Sequence, residues 1–125
     1  MPFELVWEPR GVYKRFTGTV SFQEYMRSQE MVLGDERTDS LKYVINDLSA
    51  VEGYSATAED AEYSAAFNEG ISRTNPHLQV AYVTTDVRAI ALIKMGAVFS
   101  SLVVKRFPTL AEAREWASKL VADKH

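Results

Sequence analysis

Two short polar clusters hold the residues whose types and spacing could do chemistry. One is Asp47-Leu48-Ser49, continuing through Tyr54 and Ser55 to Thr57; the other is Thr84-Thr85-Asp86. Asp47 and Asp86 each follow an apolar run. If those runs are parallel strands, both carboxylates face the carboxyl edge of one sheet, where such a pair can hold a ligand, a metal or a proton. The plainer reading is that each Asp accepts from nearby backbone amides, and it is the favoured one. Thr57 stands just before Ala58-Glu59-Asp60 at a helix start. As an N-cap it satisfies an orphan amide, worth about 1 kcal/mol. As a phospho-acceptor it would add roughly two negative charges beside free amides and a favourable dipole. Glu59, Asp60 and Glu62 would repel that charge, so the cap is favoured.

Other chemistries lack their parts. The chain has no cysteine, which excludes disulfides, thiolate nucleophiles and Cys-ligated zinc. Its two histidines, His77 in a turn and His125 at the end, do not make a His-rich metal site. Ser49, Ser55 and Ser64 have no evident base partner, and there is neither a Gly-x-Ser-x-Gly elbow nor a glycine-rich phosphate loop. No catalytic residue, metal ligand or cofactor is therefore assigned, and the chain reads as a non-enzyme. With 17 acidic against 14 basic residues the net charge is −3, and Lys14-Arg15 and Lys105-Arg106 are pairs rather than patches. Nucleic acid and anionic lipid are poor partners for that surface. No apolar run approaches the roughly 20 residues that span a bilayer, and Met1-Pro2-Phe3-Glu4 lacks the basic and apolar regions of a signal peptide. A cytoplasmic location follows by default.

The elements that must position these residues are legible from periodicity. At 125 residues, 46% hydrophobic and 25% charged, residues 1–125 suit a single domain with its own core. Phe3 to Trp7 and Val12 to Phe16 alternate apolar and polar around Pro9-Arg10-Gly11, which predicts an antiparallel hairpin released at Gly18. Ser21-Phe22-Gln23-Glu24 has the form of a capping box. Phe22, Tyr25, Met26 and Leu33 follow at helical spacing, up to a left-handed cap expected at Gly34. Tyr43-Val44-Ile45 is a strand covered on both faces, ended by Asn46-Asp47, with a loop from Ser49 to Ala56. A helix starts at Thr57 and stops at Thr74-Asn75-Pro76. Leu78 to Val83 is the next strand, Asp86 opens a helix that Gly96 caps, and Leu102-Val103-Val104 is the last strand. Thr109-Leu110-Ala111-Glu112, a second capping box, starts the final helix. The fold class is α/β, with order β-β-α-β-α-β-α-β-α. Its mixed five-stranded sheet is antiparallel at the first hairpin and parallel afterwards.

The helix Val87–Met95 is apolar over more of its circumference than one-sided packing requires, broken only by Arg88 and Lys94. Three explanations compete: deep burial under the C-terminal helix, a homodimer contact, or the wall of an apolar pocket.

Several stretches carry a family resemblance: Gly11-Val12-Tyr13, Tyr43-Val44-Ile45-Asn46-Asp47, Val80 to Asp86, and Phe107 to Trp116 with its Glu112-Ala113-Arg114-Glu115-Trp116 close. Together they resemble the SpoIIAA-like family, related to the STAS domains of anti-sigma-factor antagonists and more loosely to Sec14-type lipid-transfer domains. The likeness is spread over nearly the whole chain and implies the fold rather than an activity. Antagonists of this type carry Asp-Leu-Ser and then Asp-Ser-Ser-Gly, with a phosphorylated serine at a helix start. Here Asp47-Leu48-Ser49 matches the first, and Ser55-Ala56-Thr57-Ala58 falls where the second would be, so Thr57 takes the phospho-acceptor's position without the preceding Asp or the following Gly.

The resemblance implies a non-catalytic regulatory or protein-interaction module, homodimeric, that docks a regulatory protein partner. The candidate interaction or ligand crevice is Asp47, Ser49, Tyr54, Ser55, Thr57, Thr85 and Asp86. The alternative is a carrier or sensor of a small apolar or lipid-like ligand.

Overall fold

The computed structural model describes residues 3–98 and 100–122; His125 and Met1-Pro2 lie outside them. The elements are β1 (Phe3–Glu8), β2 (Gly11–Val20), α1 (Phe22–Leu33), β3 (Tyr43–Tyr54), α2 (Ala58–Thr74), β4 (Gln79–Val83), α3 (Val87–Val98), β5 (Val103–Phe107) and α4 (Leu110–Ala122). A 3-10 turn, Glu36–Ser40, occupies the charged segment after α1. The strands lie in the order β1-β2-β3-β4-β5, with β1 antiparallel to β2 and the rest parallel. This is the mixed α/β sheet that the alternation and the strand–helix rhythm predict.

The two-residue period of β3 divides the core. Tyr43 and Ile45 point to one face, where with Ala81 and Val83 they pack against Ala113 and Ala117 of α4. Val44 points to the other, joining Val12, Val80, Val32 of α1 and Ile71 of α2. Leu48 continues that second face with Phe16, Val20 and Ala89 of α3. The helices α1, α2 and α3 therefore cover one side of the sheet and α4 the other.

Several boundaries differ from the expectation. Strand β3 does not end at Asn46-Asp47 but runs to Tyr54, so most of the expected loop is strand. The reason is its neighbour: β2 passes Gly18 and stays paired, with Thr17 opposite Ala50 and Val20 opposite Tyr54. Gly18 has φ +68° and lies between two register shifts. It bends the strand as a bulge would, at a backbone angle only glycine adopts freely, instead of releasing it. Gly34 has φ −76°, in the right-handed region, because the chain turns directly into the 3-10 segment. Helix α3 continues through Gly96 to Val98, and β5 is Val103–Phe107 rather than 102–104. The N-caps hold only in part. Ser21 Oγ accepts from the Glu24 amide at 3.2 Å, but Glu24 Oε2 is buried without a hydrogen-bond partner, so its side chain does not reach back.

Helix α3 is not buried under α4. It packs on α2 and on β5, on the opposite side of the sheet. Of its residues only Ala89 is fully buried, while Val87 and Val98 are 80% and 79% exposed.

Candidate functional site

Small side chains on facing helices leave a space above the sheet. Ala61 and Ala65 of α2 oppose Ala89, Gly96 and Ala97 of α3, and none of them reaches far enough to fill the gap. The result is a cavity of about 120 Å³ between α1, α2, α3 and the carboxyl ends of β3 and β4. In parallel α/β sheets ligands bind at this edge. Its apolar walls include Leu48, Leu92 and Ile93, and three tyrosines, Tyr25, Tyr54 and Tyr82, enter it from three different elements.

The tyrosine hydroxyls are not equivalent. Tyr25 and Tyr82 bond each other at 2.6 Å. Burial raises both phenols above their ordinary value, Tyr82 strongly, and the neighbouring Tyr25 raises it further. They stay protonated and neutral. The Tyr54 hydroxyl is buried and has no hydrogen-bond partner of sound geometry. Burial pushes its phenol up, with Thr84 acting in the opposite direction. Among the described lining residues the only charged one is Asp60.

Behind Tyr25 lies a buried polar row. Lys14 on β2 is 0% exposed, and its Nζ donates to Ser28 Oγ at 3.2 Å and Gln29 Oε1 at 3.3 Å. Neither acceptor is charged. Gln29 Nε2 in turn donates to Asn68 Oδ1 at 2.7 Å, and Asn68 lines the cavity. Desolvation alone brings Lys14 down to about 7. The next residue across the sheet, Asn46, has its Oδ1 buried and unpartnered.

The other side of the sheet holds a second polar cluster, and this one is fully paired. Arg114 of α4 grips Glu8 of β1 with two hydrogen bonds, 2.6 and 2.8 Å, and stacks over the Tyr13 ring at 4.8 Å. The Tyr43 hydroxyl also donates to Glu8. The Arg114 bonds come first in holding Glu8 below the usual carboxylate range, against desolvation. Tyr13 donates to Asp47 Oδ2 at 2.5 Å; burial first, and then this bond, push its phenol up to about 12. The cluster ties β1, β2, β3 and α4 together.

These placements separate the candidate residues. Asp47 is 3% exposed, faces α4, and is taken up by Tyr13 and by the Ser49 amide and hydroxyl. Asp86 caps α3, accepting from the Arg88 and Ala89 amides, and these bonds, the Arg88 amide first, lower its pKa. The two carboxylates thus serve different local structures, as the plainer reading expected. Ser49, Ser55 and Thr85 are exposed; the Ser55 amide bonds to Val20 O. Thr57 is the N-cap of α2: its Oγ1 accepts from the Asp60 amide at 3.2 Å, and Asp60 Oδ2 accepts from the Thr57 amide at 3.0 Å. Of the candidate crevice residues only Tyr54 lines the cavity. Tyr63 is 64% exposed, its ring edge-on to Phe22, and Trp116 packs on Tyr43 and Phe107. Sequence reading did not single out Lys14, Tyr25 or Tyr82. The period-two alternation that puts Val12, Lys14 and Phe16 on one face was the available signal for Lys14. Among the described residues no group of three or more acidic, histidine or cysteine side chains could hold a metal, and no helix is long and apolar enough to cross a membrane.

Neither a family model nor a curated protein sequence matches the chain. Solved structures do. The anti-sigma factor antagonist SpoIIAA in its unphosphorylated form matches with TM-score 0.63 over 93% of this chain and 97% of that one, at 11% identity. This chain has the SpoIIAA-like fold. An uncharacterized DUF3478-family protein from Shewanella loihica PV-4 with a SpoIIAA-like fold matches with TM-score 0.59, 15% identity, and 92% and 93% coverage. An anti-sigma factor antagonist from Mycobacterium paratuberculosis matches with TM-score 0.57, 17% identity, and 93% and 92% coverage. The SpoIIAA-like likeness covers 92–93% of this chain. At these identities it is a likeness of fold, and the cavity and the Lys14 row are read from this chain's own residues.

Proposed function

We propose that the protein is a non-catalytic regulatory module of the cytoplasm that docks a protein partner through the segment from Ser49 to Thr57 and the start of α2. The observation that carries this reading is the closed Thr57–Asp60 capping box at the exposed start of α2, in a fold shared with anti-sigma factor antagonists. The box fixes the local geometry at this edge: the Thr57 hydroxyl accepts from the Asp60 amide, and the Asp60 carboxylate accepts from the Thr57 amide. We read the docking edge as constitutive, because a phosphate on Thr57 would meet the Asp60 carboxylate that its own amide holds. Glu59 and Glu62 on it are exposed and unneeded for packing. The test is a pull-down from the native host with the parent, Thr57→Ala, and a Glu59→Arg/Glu62→Arg variant. Thr57→Ala should lose about 1 kcal/mol of stability and keep the partner; the charge reversal should lose about 1 kcal/mol as well, through the helix dipole, and lose the partner. Recovery of the same proteins by all three would refute the docking edge.

A second reading, a carrier or sensor of a small apolar ligand, is favoured by the cavity. Native mass spectrometry of protein purified without detergent separates the two, because a single spectrum reads oligomeric mass and adducts together. A homodimer without adducts favours the docking module, with the exposed α3 residues Val87 and Val98 as its seam. A reproducible small-molecule adduct favours the carrier.

A further inference from the structure

The cavity has a chemistry of its own, and the inference drawn from it rests on the second reading above. Its size is the first constraint. A volume of about 120 Å³ is close to the roughly 150 Å³ of an engineered apolar cavity that accepts benzene. It suits one ring. The walls are the second: the faces and edges of Tyr25, Tyr54 and Tyr82 give a ring the offset and edge-on contacts that aromatic pairs prefer.

Charge is the third constraint. No basic side chain is among the described lining residues, so an anionic ligand would enter without a counter-ion, at a large desolvation cost. The single carboxylate, Asp60, is already held by the Thr57 amide in the capping box, which removes it as a ready partner for a cation. The fourth constraint is the Tyr54 hydroxyl. The Tyr25 and Tyr82 hydroxyls bond each other, whereas the Tyr54 hydroxyl is buried with no hydrogen-bond partner. A buried donor without an acceptor is costly, and a ligand acceptor placed there recovers that loss.

We propose that this cavity binds one small, uncharged, single-ring molecule carrying one hydrogen-bond acceptor, such as a carbonyl or ester oxygen, which Tyr54 donates to. The ring lies against Tyr25 and Tyr82, and the small residues Ala89 and Ala61 set how large it can be.

Four ring probes and one chain probe test this, with dissociation constants from ligand-observed NMR titration of the whole protein. The probes are methyl benzoate, toluene, benzoate, benzylammonium and 1-decanol. Methyl benzoate should bind about fivefold tighter than toluene, the factor that one net hydrogen bond supplies. Benzoate and benzylammonium should bind at least tenfold more weakly than methyl benzoate. In Tyr54→Phe, methyl benzoate should fall to the affinity of toluene while toluene is unchanged. Ala89→Met, which fills the cavity, should abolish both. Tyr54→Phe keeps the ring and its packing, so the test survives even if Ala89→Met does not fold. Equal binding of methyl benzoate by parent and Tyr54→Phe overturns the assignment of the acceptor. Preference for either charged probe overturns the uncharged class. Binding of 1-decanol with rejection of all ring probes overturns this inference but leaves the carrier reading standing. Binding of none of the five overturns both.

Discussion

Gly11→Ala should destabilise the protein by about 2–4 kcal/mol, lowering the melting temperature by roughly 10 °C. Gly11 opens β2 opposite Tyr43 of β3, and the Tyr43 ring lies directly on it. A Cβ at position 11 would fall inside the contact distance of three ring atoms. The ring has nowhere to go: Tyr43 is 6% exposed, its hydroxyl is bonded to Glu8, and its edge meets Trp116 with centroids 6.5 Å apart. Overpacking of this kind costs about 1–3 kcal/mol. If the ring tilts away, the charge-assisted bond to Glu8 is lost as well, for about 1.5–3 kcal/mol. Against this, alanine recovers about 0.5–1 kcal/mol of the strand entropy that glycine forfeits. The control is Tyr43→Ala. In that background the added methyl meets no ring, so Gly11→Ala should be neutral or slightly stabilising. A cost that stays the same with and without the Tyr43 ring, measured by denaturant unfolding, would disprove the account.

Lys14→Met should do the opposite and stabilise the protein at neutral pH. Lys14 is fully buried with only Ser28 and Gln29 as acceptors, and desolvation brings it from 10.5 to about 7. Its folded-state value is depressed, so the folded state disfavours the proton. Above pH 10.5 the amine is neutral folded or unfolded, and there is no penalty. As pH falls toward 7 the unfolded chain takes up a proton that the folded chain refuses, and the penalty grows. Below 7 both forms are protonated and the penalty is flat at its maximum. At about 1.4 kcal/mol per pKa unit, a shift of this size amounts to several kcal/mol, on the order of 4. Methionine fills a similar volume without a charge. It strands Gln29 Oε1, a loss of about 1–3 kcal/mol. The net gain at pH 6–7 is therefore roughly 1–3 kcal/mol. It shrinks as pH rises and reverses between about pH 8 and 10, where the remaining penalty falls below the cost of the lost hydrogen bonds. Taking the difference between variant and parent cancels the tyrosines, whose raised values act on the alkaline side in both. A variant no more stable than the parent at pH 7, or a difference that does not change with pH, would show that Lys14 keeps its proton inside.

Gly11 and Lys14 lie on opposite faces of one strand. Tyr13 and Lys14 are adjacent, yet Tyr13 joins the charged cluster under α4 while Lys14 enters a row of uncharged partners under α1. Alternation along β2 separates them, and the hairpin pattern already contained that alternation. What it did not contain is the partner each would find, because Arg114 is 101 positions from Tyr13 in the chain and Gln29 belongs to a different element.

The sequence by itself determined the kind and order of the elements, because periodicity and capping are local. The 3.6-residue stripes of α1 and α4, the apolar β4 run, and Thr57 as a cap all act within one turn or one strand of their own residues. Boundaries that depend on a neighbour escaped it. Strand β3 runs to Tyr54 only because β2, bent at Gly18, stays beside it, and hydrogen bonds between strands leave no mark in either strand's own pattern. The site escaped it for the same reason. Tyr54 was singled out for its place near a helix start, but Tyr25 and Tyr82 stand 57 positions apart and meet only across the packed core. The cavity is the sum of small residues on α2 and α3, each unremarkable alone. Whether Ala61, Ala89 and Gly96 leave a space or close one is decided by how two helices cross above the sheet, and only the tertiary structure sets that geometry.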